Sequence, residues 1–205
     1  RSQNIMLLID AGQRMMARGS ADVMSRIDYV VNAVLLISYI ATSKGDRVGV
    51  LTFADEVLRY LPPRSGHGQF YRIMETLYGV EAQPIEPNYA RALGYLRAQR
   101  QKRSLVVLFT EISSSKQAPT LSAHLSALYP QHLPLCVTLN DRALLAISKR
   151  KLIRARDVYE RVAAEWLLDE RQVWLDELNR RGVLTLDVLS GELTSAVINK
   201  YLEIK

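Results

Sequence analysis

The chain has 205 residues, 48 % hydrophobic and 23 % charged, which suits one globular domain with a sizeable core. A single cysteine, Cys136, excludes an internal disulfide and any multi-cysteine zinc site; set in the apolar run LPLCVTL, it reads as a buried, inert thiol. The net charge of +6 admits nucleic acid or anionic lipid as partners, but the basic run KRKLIRAR, Lys149 to Arg156, has no interleaved aromatics of the kind a single-strand stacking platform needs.

In chain order, NIMLLID (4–10) is a strand that ends on Asp10, followed by a small-residue turn and Arg14. Residues 22–43 predict a helix. Its most apolar stretch, 29–41, is too short for a membrane span and is interrupted by Asn32 and Ser38, so it reads as a helix buried against a sheet. RVGVLTF (47–53) and EVLRYLP (56–62) are strands separated only by Ala54 and Asp55, which is hairpin spacing. The stretches 64–69 and 81–87 read as loops, and 68–79 and 88–102 as helices. SLVVLFT (104–110) is a strand that delivers Glu111 into TEISSS. A helix over 117–129, a strand over 133–139, a long helix over 155–181, a strand over 182–188 and a helix over 191–203 complete the series.

Near-continuous apolar strands suit a parallel sheet covered on both faces. The alternation therefore predicts an α/β, Rossmann-type doubly wound domain: a mostly parallel central sheet, one antiparallel edge strand, and helices on both faces. In such sheets ligands bind beyond the carboxyl ends of the strands, where Asp10 and Glu111 both fall. Trp166 and Trp174, eight residues apart, are expected to be buried together on one face of the long helix.

The ordered series LLIDAGQRM, SRIDYVVNAVLLISYIATSKGDRVGVLTFADEVLRYLPPRSGHGQF, EPNYARALGYL, RSLVVLFTEI and INKYLEIK resembles domain-of-unknown-function family 58, whose members carry a von Willebrand factor A-like domain. That resemblance implies a metal-ion-dependent adhesion site, built from an Asp-x-Ser-x-Ser turn, a threonine and a later aspartate. Here Asp10 matches the first aspartate, Gly12 and Arg14 replace the serines, Pro87 beside Asn88 replaces the threonine, and Glu111 replaces the later aspartate. Magnesium prefers six oxygen ligands, and the three missing hydroxyls imply a degenerate site holding no cofactor or only weak Mg²⁺. Arg14 is expected to bring the missing positive charge to Asp10, Glu111 or both, leaving Asp10, Arg14 and Glu111 to meet a partner.

The resemblance implies a non-catalytic protein–protein interaction or scaffold domain of bacterial or archaeal origin, working with a MoxR-type AAA+ ATPase. It also implies a cytoplasmic location, tethered to the inner membrane by a segment absent from this chain. The chain opens on Arg1, almost directly at a core strand, which points to one domain (1–205) of a longer protein. Two other classes compete: a metal-assisted hydrolase using Asp10 and Glu111 as acid and base, and a nucleic-acid binder using Lys149 to Arg156. The sequence has no phosphate loop, nucleophile elbow or zinc-protease motif. His124 and His132 lack carboxylate neighbours in sequence, and with His67 all three read as surface or core residues and the chain as a non-enzyme.

Overall fold

The computed structural model describes residues 2–19, 22–112 and 117–205; of TEISSS, Ser113 to Ser115 lie outside them. Six strands, β1 (Asn4–Asp10), β2 (Arg47–Phe53), β3 (Val57–Arg64), β4 (Ser104–Thr110), β5 (Leu133–Asn140) and β6 (Leu184–Leu189), form one sheet in the order β3-β2-β1-β4-β5-β6. All pairs are parallel except β2–β3, which is antiparallel and puts β3 at the edge, as the short 53–57 connection requires. A register shift interrupts that pair between Val48 and Val50. Gly49 sits at the shift, where an added Cβ would lie 2.7 Å from the Leu61 carbonyl oxygen and 2.8 Å from Pro63 N. Only glycine allows that approach of two backbones.

The helices are α1 (Arg26–Ser43), α2 (His67–Leu77), α3 (Tyr89–Ala98), α4 (Ala118–Ser126), α5 (Arg142–Ser148), α6 (Ala155–Arg180) and α7 (Leu193–Ile204). Strand alternation divides the core. Ile5, Leu7 and Ile9 face one layer with Val34 and Ile37 of α1 and Val197 of α7. Met6 and Leu8 face the other, with Leu93 of α3, Leu121 of α4 and Leu178 of α6. Truncating any of these buried leucines to alanine would cost about 2–5 kcal/mol.

Three expectations need correction. The seven-residue α5 was not foreseen: RALLAIS buries none of its residues, so it has no apolar periodicity to betray it. Asp141 makes it, accepting the Ala143 N–H at 2.8 Å as N-cap. The tryptophans do not share an environment. Trp174 is 8 % exposed and donates from Nε1 to Ser122 Oγ at 3.0 Å, whereas Trp166 is 58 % exposed. At 3.6 residues per turn, eight residues leave two side chains about 80° apart, so one ring reaches the α4 layer and the other does not. Finally, the cation that meets Glu111 is Arg171, an arginine far away in sequence, while the charge of Arg14 is felt at Asp10, the other acid it was expected to serve.

The opposite end of the sheet is pinned by charge. Asp46 accepts the Gln3 N–H at 3.0 Å and the Lys205 Nζ at 2.9 Å, and it also accepts the Tyr201 hydroxyl. Burial works against its charge, but Lys205, Tyr201 and the Gln3 amide together hold its pKa below the ordinary value.

Candidate functional site

The carboxyl end of β1 carries the site because register and pleat put the same face of β1 and β4 together. Ile9 pairs with Phe109, so Asp10 and Thr110, the next residue on each strand, project to the same side, toward α3. Tyr89, the first residue of α3, completes the group. Thr110 Oγ1 donates to Asp10 Oδ2 at 2.6 Å; the Tyr89 hydroxyl lies 2.8 Å from Thr110 Oγ1 and 3.3 Å from Asp10 Oδ2. The other carboxylate oxygen, Oδ1, accepts the Gly12 N–H at 2.7 Å. Asp10 is 1 % exposed. Burial pushes its pKa up to about 6, opposed by Thr110, the Gly12 amide, Tyr89 and the charge of Arg14. Burial, and then the neighbouring Asp10 charge, raises Tyr89 well above an ordinary phenol.

Pro87 closes the space beside this carboxylate. A Cβ at Gly12 would lie 2.8 Å from Pro87 Cδ, 3.0 Å from Asp10 Oδ1 and 3.1 Å from the Ile85 carbonyl oxygen. The proline therefore fills the room that a residue-12 side chain would need. Asn88 turns away to cap α3, accepting the Arg91 N–H at 2.9 Å. Arg14 lies in the 3-10 turn Gln13–Met16 and approaches Glu86 at 3.9 Å; its charge is felt at Asp10. Gln13 and Gln117 both donate to Glu86.

Glu111 belongs to a second constellation. Arg171 of α6 reaches it with Nη1 at 2.8 Å and Nη2 at 3.3 Å. The same guanidinium donates to Asp187 of β6, from Nη2 at 2.8 Å and from Nε at 3.1 Å, and to the Leu139 carbonyl at 3.0 Å. Thr138 and Asn140 of β5 also donate to Asp187. Burial opposes the Arg171 charge, but Glu111 and Asp187 outweigh it and raise its pKa. Sequence reading missed Tyr89, Thr110, Arg171 and Asp187. Asp187 was the visible signal, a carboxylate inside the apolar run GVLTLDV; the other three carried none.

The donor set does not suit magnesium. Both Asp10 oxygens are engaged by protein donors, Glu111 is neutralised by a guanidinium, and an arginine charge stands nearby, whereas Mg²⁺ needs a shell of free oxygens. Among the described residues no three acidic, histidine or cysteine side chains cluster as metal ligands. Nor do Asp10 and Glu111 resemble an acid–base pair, since both are buried and spoken for. His132 is structural: its Nδ1 accepts the Ser104 N–H at 3.2 Å. In the basic run, Arg150 and Arg156 both pair with Glu160. Among the described residues no helix is long and apolar enough to cross a membrane.

The family model described as "Protein of unknown function DUF58" matches residues 1–165. No curated protein matches the sequence. Among solved structures, the conserved hypothetical protein BatB from Bacteroides thetaiotaomicron superposes with a TM-score of 0.64 at 11 % identity, covering 99 % of this chain and 98 % of that one. An aerotolerance-related membrane protein from Bacteroides fragilis gives 0.60 at 14 %, covering all of both chains (100 % and 100 %). The SpRpn10 VWA domain gives 0.57 at 13 %, covering 96 % and 94 %. At these identities the likeness is one of fold: a von Willebrand factor A-like α/β sheet.

Proposed function

This chain belongs to the DUF58 family, and from that premise we propose that it is a non-catalytic protein-interaction domain whose degenerate adhesion site works without a metal. One observation carries the reading: both oxygens of the buried Asp10 carboxylate are engaged by protein donors, Oδ1 by the Gly12 N–H and Oδ2 by the Thr110 hydroxyl, with the Tyr89 hydroxyl beside them. In a metal-dependent adhesion site an open coordination position takes a partner's carboxylate. Here the contact falls instead to the surface around the filled position. That surface presents Arg14 and Glu86, and their sequence neighbours Met16 and Ile85 are 47 % and 38 % exposed. Mixed charge around a small apolar centre is ordinary protein-interface chemistry. Asp10 and Glu111 support this edge from beneath.

The partner we propose is a MoxR-type AAA+ ATPase, and the setting a membrane-tethered protein whose single von Willebrand factor A-like domain, residues 1–205, faces the cytoplasm. The test is direct binding of the purified chain to the MoxR-type ATPase of the same genome, in excess Mg²⁺ and in excess chelator, with nucleotide held constant. Equal affinity in both supports the reading, and Arg14→Glu and Glu86→Lys should each weaken it about tenfold. Binding that needs Mg²⁺ on this chain, or that ignores both substitutions, refutes it.

A further inference from the structure

The long helix α6 carries an apolar face that the described residues leave exposed. Its buried residues are Ala164, Trp174, Leu175 and Leu178, all but one in its C-terminal half. On the other side Val158 is 43 %, Tyr159 79 %, Val162 58 % and Trp166 58 % exposed. At 100° per residue, Val158, Val162 and Trp166 lie within about 40° of one line, with Tyr159 beside them. Four large apolar side chains on three turns of one helix form a patch rather than scattered surface hydrophobics.

The charges around this patch identify what covers it. Measured outward from Val162, the helix is complementary to itself. Four residues away in the two directions lie Val158 and Trp166; eight residues away lie Arg154 and Glu170, with Asp169 next to Glu170 and the basic run from Lys149 behind Arg154. Arg154, Asp169 and Glu170 are exposed, and none makes an ion pair among the described residues. We propose that α6 docks antiparallel on α6 of a second copy of this chain, about a two-fold axis at Val162. Trp166 of each copy then packs on Val158 of the other. Arg154 of each copy, about 12 Å from the axis at 1.5 Å per residue, meets Glu170 of the other. The surface is isologous: one patch satisfies itself and closes at two subunits. A patch made for an unrelated partner has no need of charges whose signs invert at equal distances from its centre. This proposal does not rest on the contact at Arg14 and Glu86.

Sedimentation of the chain from micromolar to submillimolar concentration tests it. The expected result is a reversible rise from the 23.2 kDa monomer to twice that mass, weakened by salt because the end pairs are exposed. Trp166→Glu should raise the dissociation constant at least about tenfold while leaving the circular dichroism unchanged. Arg154→Glu and Glu170→Arg should each weaken self-association, because each sets like charges against one another at both ends. An equimolar mixture of those two variants should associate again, since both end pairs are then of opposite sign. A chain that stays monomeric throughout overturns the proposal. So does a dimer indifferent to Trp166→Glu, a mixture no better than its components, or a partner protein that binds Trp166 while the chain alone remains monomeric.

Discussion

Replacing Arg171 by methionine removes the cation that, among the described residues, bridges Glu111 and Asp187, and preserves much of the side chain's length. The side chains of Arg171, Glu111 and Asp187 are only 11 %, 4 % and 20 % exposed, so water cannot take over the role of the guanidinium. Breaking such a group by removing one partner costs about 3–5 kcal/mol, because an uncompensated buried charge is left behind. For a chain of this size that corresponds to a fall in melting temperature of roughly 6–20 °C. Urea unfolding followed by circular dichroism at neutral pH reads the loss directly. Replacing all three residues together, with Glu111→Gln and Asp187→Asn, should cost less than Arg171→Met alone. A loss below about 1 kcal/mol, or a triple variant less stable than the single one, would show that the three residues do not act as a buried charged unit.

Asp10 predicts a pH signature. Its folded pKa of about 6 lies above the ordinary 3.8, so the stability it contributes is complete below about 3.8 and is lost as pH rises through about 6, in total on the order of 3 kcal/mol. Asp10→Asn should flatten the stability–pH curve across that window; an unchanged slope would contradict the assignment. Gly12→Ser should destabilise by about 1–3 kcal/mol through overpacking against Pro87, and Gly12→Ser with Arg14→Ser should gain no Mg²⁺ affinity by calorimetry; a gain would reopen the metal reading. Cys136 is fully buried and its thiol is pushed up by burial, so it should resist thiol reagents in the native protein and react after unfolding. Acrylamide should quench Trp166 strongly and Trp174 weakly, read on single-tryptophan variants.

The sequence by itself determined the six strands, the hairpin edge, six of the seven α-helices among the described residues and the place of Asp10 and Glu111 at the carboxyl end of the sheet. Those features follow from local rules: apolar runs of strand length, helical periodicity and a connection too short for anything but a hairpin. It also put Gly12, Arg14 and Pro87 where the family's adhesion-site motif would have hydroxyls. Only the tertiary structure decided what replaced them. Arg171 is 60 residues from Glu111 in the chain, and Tyr89 is 79 from Asp10; no periodicity links positions brought together by strand order and by the pitch of a helix over a sheet. A positive charge came to Glu111 from Arg171 within α6, because α6 packs beside β6, and the turn after β1 leads Arg14 toward Glu86. Trp166 and Trp174 make the same point. Their spacing is a sequence fact, but an 80° difference in direction became burial for one and exposure for the other only once the position of α4 beneath α6 was fixed.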